Sequence, residues 1–251
     1  MDIQGKTAFV TGGSGDIGGL IARALSSAGA DVAISYIGHR EGADATVAAV
    51  EGAGRRGMAV QLDQRDPAAI EASVDHLVKG LGRVDILVNN AAWNVGIPFA
   101  ALDALNAETW DRLLETNLRG PYLLARAFAP HLRAHRAGRI VNIASVAGLY
   151  PGGSSIAYAA SKAGLIHLTR CLAVALAPDV TVNCIAPGLV EGTRMAQRIP
   201  AEMARMARKQ AVLGRSASGE DIAQQVIAFC RSESITGQVL VIDGGMPGAM
   251  H

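Results

Sequence analysis

The sequence has almost no net charge: 23 Lys and Arg against 22 Asp and Glu leave a formal +1 over 251 residues. That balance gives no steering toward nucleic acid or an anionic membrane. Aromatic residues are scarce, at 4%. The one basic stretch, His131 to Arg139, has none interleaved. It offers no stacking platform for bases and reads as a solvated helix end before a strand. Cysteines number three, Cys171, Cys184 and Cys230. Odd in number and widely spaced, they fit neither a disulfide framework nor a metal site, and they point to a reducing cytosol. No apolar run is long enough to span a bilayer. The first strand begins by about Lys6, leaving no room for a signal peptide, so a cytoplasmic protein is expected. Internal repeats, linkers and low-complexity runs are also missing.

What is present is length, apolar content and alternation. Half of the residues are hydrophobic, enough for one large core, so one domain over residues 1–251 is expected. Short β-branched runs read as strands at Lys6–Thr11, Asp31–Tyr36, Met58–Leu62, Val84–Val88, Arg139–Ala144, Val180–Ile185 and Gln238–Ile242. Helical stretches separate them, with Glu108–Arg133 broken near Arg119-Gly120-Pro121. Strict alternation predicts a parallel sheet with helices on both faces. Glu191 to Leu213, rich in Met and Arg, reads as a small lid of one or two helices.

The chemistry-bearing residues fall where those strands end. Gly12-Gly13-Ser14-Gly15-Asp16-Ile17-Gly18 follows the first strand and opens a helix. Glycines there let a backbone approach a pyrophosphate, and the helix N-terminus supplies free N–H groups and a positive dipole end. The same residues also suit a tight structural turn. The second strand ends Ser35-Tyr36-Ile37-Gly38-His39-Arg40, without the acid that grips the ribose of NAD. His39 or Arg40 could pair with a 2′-phosphate, which favours NADP over NAD; both residues also suit an ordinary loop. Asp63, followed by Gln64, is placed to accept from an adenine amino group. Asn89-Asn90-Ala91-Ala92 ends the fourth strand, bridging neighbouring strands or facing a ribose. Trp93 is either a substrate wall or a cap on the core. Pro187-Gly188-Leu189-Val190 turns sharply off the sixth strand.

The stretch Ser145 to Lys162 carries the proton chemistry. Tyr158 and Lys162 are one helical turn apart on one face. A phenol has a pKa of about 10, and a fixed ammonium close by favours the phenolate. Ser145, at the preceding strand's end, is placed to reach the same substrate oxygen. Asn117 lies before the break in its helix, where distortion would free a carbonyl for water.

Taken together, these residues resemble the short-chain dehydrogenase/reductase family over nearly the whole chain. Thr11 to Gly18 looks like its glycine motif, with Asp16 where the family has its middle glycine. Asn89-Asn90-Ala91-Ala92 looks like its N-N-A-G, with Ala92 replacing glycine. Asn117, Ser145, Tyr158 and Lys162 fall on its catalytic tetrad. Pro187-Gly188 looks like the turn beside the nicotinamide, and Thr193 lies one residue after the family's usual threonine. The resemblance implies a Rossmann-type doubly wound sheet of about seven strands and an NADP-dependent carbonyl reductase or alcohol dehydrogenase. Tyr158 would be the general acid/base and Ser145 the holder of the substrate oxygen. Lys162 would lower the Tyr158 pKa and bind the nicotinamide ribose, and Asn117 would hold a water. Asp16 is expected to cap the first helix. Cofactor contacts are expected from Gly12, Ser14, Gly15, Asp16, Ile17, Ser35, His39, Arg40, Asp63, Gln64, Asn90, Ala91, Tyr158, Lys162, Pro187, Gly188, Val190 and Thr193. Substrate contacts are expected from Ser145, Tyr158, Trp93 and Tyr150; no metal is expected. The resemblance also implies a homotetramer acting on a small molecule, packed through Gly120–Arg133 and Ile156–Ala177. Three alternatives remain: a 3-oxoacyl-carrier-protein reductase, for which Arg194, Arg198, Arg205 and Arg208 could form a docking patch or merely a solvated face; an epimerase or dehydratase; and a dinucleotide-binding regulator without turnover.

Overall fold

The computed structural model describes residues 1–199 and 201–247. Seven strands form one sheet: β1 (Thr7–Val10), β2 (Asp31–Tyr36), β3 (Gly57–Gln61), β4 (Ile86–Asn89), β5 (Gly138–Ile143), β6 (Val180–Pro187) and β7 (Val239–Ile242). Their order is β3-β2-β1-β4-β5-β6-β7, and every neighbouring pair is parallel. Helices are α1 (Asp16–Ser27), α2 (Arg40–Gly52), α3 (Pro67–Leu81), α4 (Ala107–Leu114), α5 (Gly120–Arg133), α6 (Ile156–Leu176), α7 (Ala201–Gln210) and α8 (Gly219–Arg231).

A strand covered on both faces must be apolar on both sides, and β1, β2, β4 and β5 are buried throughout. On one face Ile21 and Leu25 of α1, Val50 of α2 and Val226 of α8 pack with Val10, Ile34, Val88 and Val141. On the other, Leu77 of α3, Phe128 of α5 and Leu172 of α6 pack with Phe9, Leu87, Ile140 and Val182. The Phe9 and Phe128 rings meet at 5.3 Å, and burying each such side chain stabilises the fold by roughly 1.5–3 kcal/mol.

The strands' amino ends are closed by charge. Asp31 pairs with Arg55 at 2.8 Å and Arg56 at 2.7 Å. Asp85 accepts from the Thr7 N–H at 3.0 Å and pairs with Arg83. Buried Arg139 donates to the carbonyls of Cys230, Ala137 and Gly138. At the carboxyl ends the winding reverses. From β1 the chain proceeds outward to β2 and β3, then returns to β4 on the other side of β1. Such a switch point opens a crevice between β1 and β4.

Two expectations need correction. The break near Arg119-Gly120-Pro121 is no interruption: Glu115–Arg119 form one π-helical turn between α4 and α5. Arg119 and Gly120 keep helical dihedrals, so the axis carries on through Pro121, and the widened π-helical turn before it accommodates the N–H that proline lacks. And α6, at 21 residues, is long and apolar enough to cross a membrane by length and mean hydropathy alone. Its apolar content instead packs against β5 and β6, and it buries Tyr158, Ser161, Lys162 and Thr169.

Candidate active site

The crevice between β1 and β4 is built by short hydrogen bonds. The Gly12 N–H donates to Ser35 Oγ at 3.1 Å and the Gly13 N–H to the Ser35 carbonyl at 3.0 Å, tying the glycine turn to the end of β2. Thr11 Oγ1 accepts from the N–H groups of Asn90 and Ala91 at 3.0 and 2.9 Å. Asn90 Nδ2 donates to the Thr11 carbonyl at 2.9 Å. A Cβ on Gly18 would stand 2.3 Å from the Gly12 carbonyl, so only glycine lets α1 start this close under the turn. The result is a bare backbone surface at a helix N-terminus, which suits a dinucleotide pyrophosphate.

Other expected contacts are placed less simply. Asp16 does not cap α1: Gly15 holds the N-cap position with no side-chain bond, and the Asp16 carboxylate accepts the Arg194 N–H at 2.7 Å. His39 Nδ1 lies 3.0 Å from the Ser14 carbonyl. Arg40 pairs with Asp44 at 2.8 Å and donates to Tyr36 Oη at 3.1 Å. Asp63 is gripped by Arg65, which holds its carboxyl below the usual range. Gln64 is buried and donates to the carbonyls of Ala91 and Thr116. Ile17, in the first turn of α1, packs against the core. Pro187 ends β6, the Gly188 N–H donates to Ile242 at 2.8 Å, and Val190 is buried and bridges Ala217. Thr193 turns inward, donating to the Val190 carbonyl at 2.8 Å and accepting from the Ala196 N–H at 3.2 Å.

Beside this crevice Ser145, Tyr158 and Lys162 converge. Ser145 leaves β5 in extended conformation and caps the following 3-10 turn, Val146–Gly148. A Cβ on Gly148 would lie 2.6–2.8 Å from the backbone of Lys162 and Ala163. That close approach sets the turn directly on α6 and brings the Ser145 hydroxyl beside the Tyr158 phenol, whose acidity it favours. Ser155 caps α6 and accepts from the Tyr158 N–H at 3.2 Å. Lys162 is 3% exposed, and its Nζ donates to the Ile143 carbonyl at 2.9 Å, 5.7 Å from the Tyr158 ring centroid. Burial pushes the Lys162 pKa down to about 8. It also pushes the Tyr158 phenol up, opposed by the neighbouring Ser145 hydroxyl. The ammonium stands near the phenol ring, with one of its protons directed to the Ile143 carbonyl at the end of β5.

Asn117 lies in the π-helical turn. Its Oδ1 accepts the Trp93 N–H and its Nδ2 donates to the Trp93 carbonyl, both at 2.9 Å, with a further bond to Ser161 Oγ at 3.2 Å. Ser161 donates in turn to the Tyr158 carbonyl at 2.7 Å. Trp93 thereby joins a small cluster with Leu113, Ala147 and Tyr158, and Arg112 stacks on its ring at 4.2 Å. Burial and the nearby Asp243 carboxylate raise the Tyr150 phenol. The tying roles of Thr11 and Ser161 are not legible in the sequence: a hydroxyl that ties one backbone to another has no periodicity to reveal it.

A glycine turn at a doubly wound switch point, with serine, tyrosine and lysine gathered beside it, defines a dinucleotide-dependent dehydrogenase class. The chain belongs to the short-chain dehydrogenase/reductase family. The family model described as enoyl-(acyl carrier protein) reductase matches residues 13–247. The 3-oxoacyl-acyl-carrier-protein reductase of Thermotoga maritima is 34% identical over 98% of this chain and 99% of its own. Cis-4-hydroxycyclohexanecarboxylate dehydrogenase of Sinomonas cyclohexanicum is 36% identical over 96% of each. Among solved structures, a short-chain dehydrogenase from Burkholderia cenocepacia in complex with NADP aligns with TM-score 0.90 and 39% identity, over 98% of this chain and 100% of that one. A xylitol dehydrogenase with bound NAD+ aligns at 0.91 and 27%, over 98% and 100%. The protein is an NAD(P)-dependent oxidoreductase.

Proposed function

We propose that this protein is an NADP-dependent carbonyl reductase or secondary-alcohol dehydrogenase of the cytoplasm, one domain long and acting on a small molecule. The observation that carries the reading is the buried Ser145–Tyr158–Lys162 cluster beside the glycine crevice. A bound nicotinamide supplies or accepts the hydride. Tyr158 gives its phenolic proton to the carbonyl oxygen, or takes it back in the reverse direction. Ser145 holds that oxygen through the hydroxyl that now meets the phenol. Lys162, cationic below about pH 8, favours the phenolate once Tyr158 has given up its proton and donates to a ribose hydroxyl. Asn117 fixes the Trp93 segment as one wall of the substrate cleft, and Tyr150 forms another.

The NADP preference rests on the β2 end, where His39 and Arg40 stand and no acid precedes Glu41. The three cysteines are unpaired, in keeping with a reducing compartment. A homotetramer fits the open groove of about 540 Å³ between α4, α5 and α6, lined by Leu118, Tyr122, Gly164 and Leu168. A carrier-protein substrate has less support: Arg194, Arg205 and Arg208 each pair with a carboxylate, and the Arg198 side chain lies outside the described residues.

The test is a panel of ketones and secondary alcohols with NADPH and with NADH. Turnover preferring NADPH is expected, with Tyr158→Phe about 10²–10⁴-fold slower yet binding dinucleotide normally. Near-normal turnover by that variant would remove Tyr158 from its role. Activity on racemisation or dehydration substrates without NADPH loss would favour an epimerase or dehydratase.

A further inference from the structure

Two residues that the family motif does not account for face each other across the dinucleotide crevice. Asp16 puts a carboxylate at the first residue of α1, beside the surface that receives an anionic pyrophosphate. A negative charge there repels the ligand unless a cation offsets it. Arg194 lies 178 residues later, in the turn after β6, and is bound to Asp16 twice. Its N–H donates to Asp16 Oδ2 at 2.7 Å, and its Nε stands 3.6 Å from the same oxygen. Its Nη2 lies 3.2 Å from where a Cβ on Gly15 would project. The guanidinium therefore lies over the bare face of the glycine turn. Thr193, the residue expected to make a cofactor contact in this turn, has its hydroxyl committed to Val190 and Ala196. Arg194 is the residue the turn presents to the crevice.

We infer that Arg194 is a dinucleotide-binding residue, recruited because Asp16 is there. It pairs with Asp16 before binding and bridges Asp16 and the pyrophosphate afterwards, a bidentate geometry that suits guanidinium. This rests on the dinucleotide reading of the crevice. It adds that the turn after β6 is held onto the cofactor crevice by charge at Arg194.

The test is equilibrium binding followed by nicotinamide fluorescence and calorimetry, with NADPH and with adenosine 2′-monophosphate, which has no phosphate at the pyrophosphate position. Arg194→Met is expected to raise the NADPH Kd about tenfold or more at low salt and to leave the monophosphate Kd unchanged. Arg194→Lys recovers part of the loss. In an Asp16→Gly background the same Arg194→Met change costs several-fold less, because no carboxylate is left uncompensated. An NADPH Kd insensitive to Arg194→Met, an equal effect on the monophosphate, or additive effects of the two positions would each overturn the inference and leave the pair as a surface ion bridge of little consequence. If the unaltered protein bound neither probe, the dinucleotide reading itself would fall.

Discussion

At the scale of single residues, burial decides the chemistry of the site. Lys162 and Tyr158 are both almost wholly enclosed, and burial disfavours the charged form of each: the lysine falls to about 8 and the phenol rises. For Lys162 the folded pKa lies below the unfolded value of 10.5. Between about pH 8 and 10.5 the unfolded chain binds more protons than the folded one, so this group alone makes stability rise with pH across that window. Cys184 and Cys230, pushed up to about 11 and about 12, act oppositely: folded pKa values above the unfolded 9.0 make stability fall from about pH 9 upward. The difference in unfolding free energy between wild type and Lys162→Met is therefore the quantity to measure. It is expected to shift in favour of wild type by about 2–4 kcal/mol from pH 7.5 to 10.5. A difference independent of pH would mean that Lys162 is not buried as described. Tyr158, Lys162 and Ser145 were readable in the sequence because their spacing at a strand end and along a helix coincides with the family resemblance. Their acidity was not, since it depends on enclosure and on the Ile143 carbonyl that takes the ammonium.

At the scale of elements, the π-helical turn and the 3-10 turn do the positioning. Asn117 holds the backbone of Trp93 as a second amide would, and its removal leaves a partly buried N–H and C=O without partners. Asn117→Ala is expected to cost about 1–3 kcal/mol, read as a lowered denaturant midpoint, with faster amide exchange at Trp93 but not at β1. Gly148→Ala would force a methyl into the backbone of α6. An overpacking cost of about 1–3 kcal/mol follows, and the phenol–serine contact opens, so turnover falls more than dinucleotide binding. Unchanged turnover in this variant would show that the turn does not set the Ser145–Tyr158 geometry. Strand and helix positions came from the sequence to within a few residues. The continuous helix through Pro121 did not, because proline reads as a stop unless the widened turn before it is known. Gln64 was equally hidden, since nothing local says that its amide lies among the carbonyls of Ala91 and Thr116.

At the scale of the whole molecule, the alternation of short apolar strands with helices foretold a doubly wound parallel sheet. The order of strands follows from chain reversal at β1, which no single segment encodes. Pairs distant in sequence, Asp16 with Arg194 or Arg133 with the Ala175 carbonyl, become visible only after folding. The apolar groove between α4, α5 and α6, with Tyr122 44% and Val174 81% exposed nearby, belongs to this scale. Light scattering is expected to give a tetramer mass, and Tyr122→Glu a smaller species with unchanged secondary structure. A monomeric wild type at working concentration would remove the tetramer.

The charged locks on Asp31, Asp85 and Arg139 sit at one rim of the sheet, and the glycine turn, Ser145 and the Pro187-Gly188 turn all leave from the opposite rim. Folding security and chemical selectivity are thus written into separate ends of the same seven strands. A laboratory or a lineage could replace the segment after β6 to accept a different substrate without renegotiating how the chain assembles.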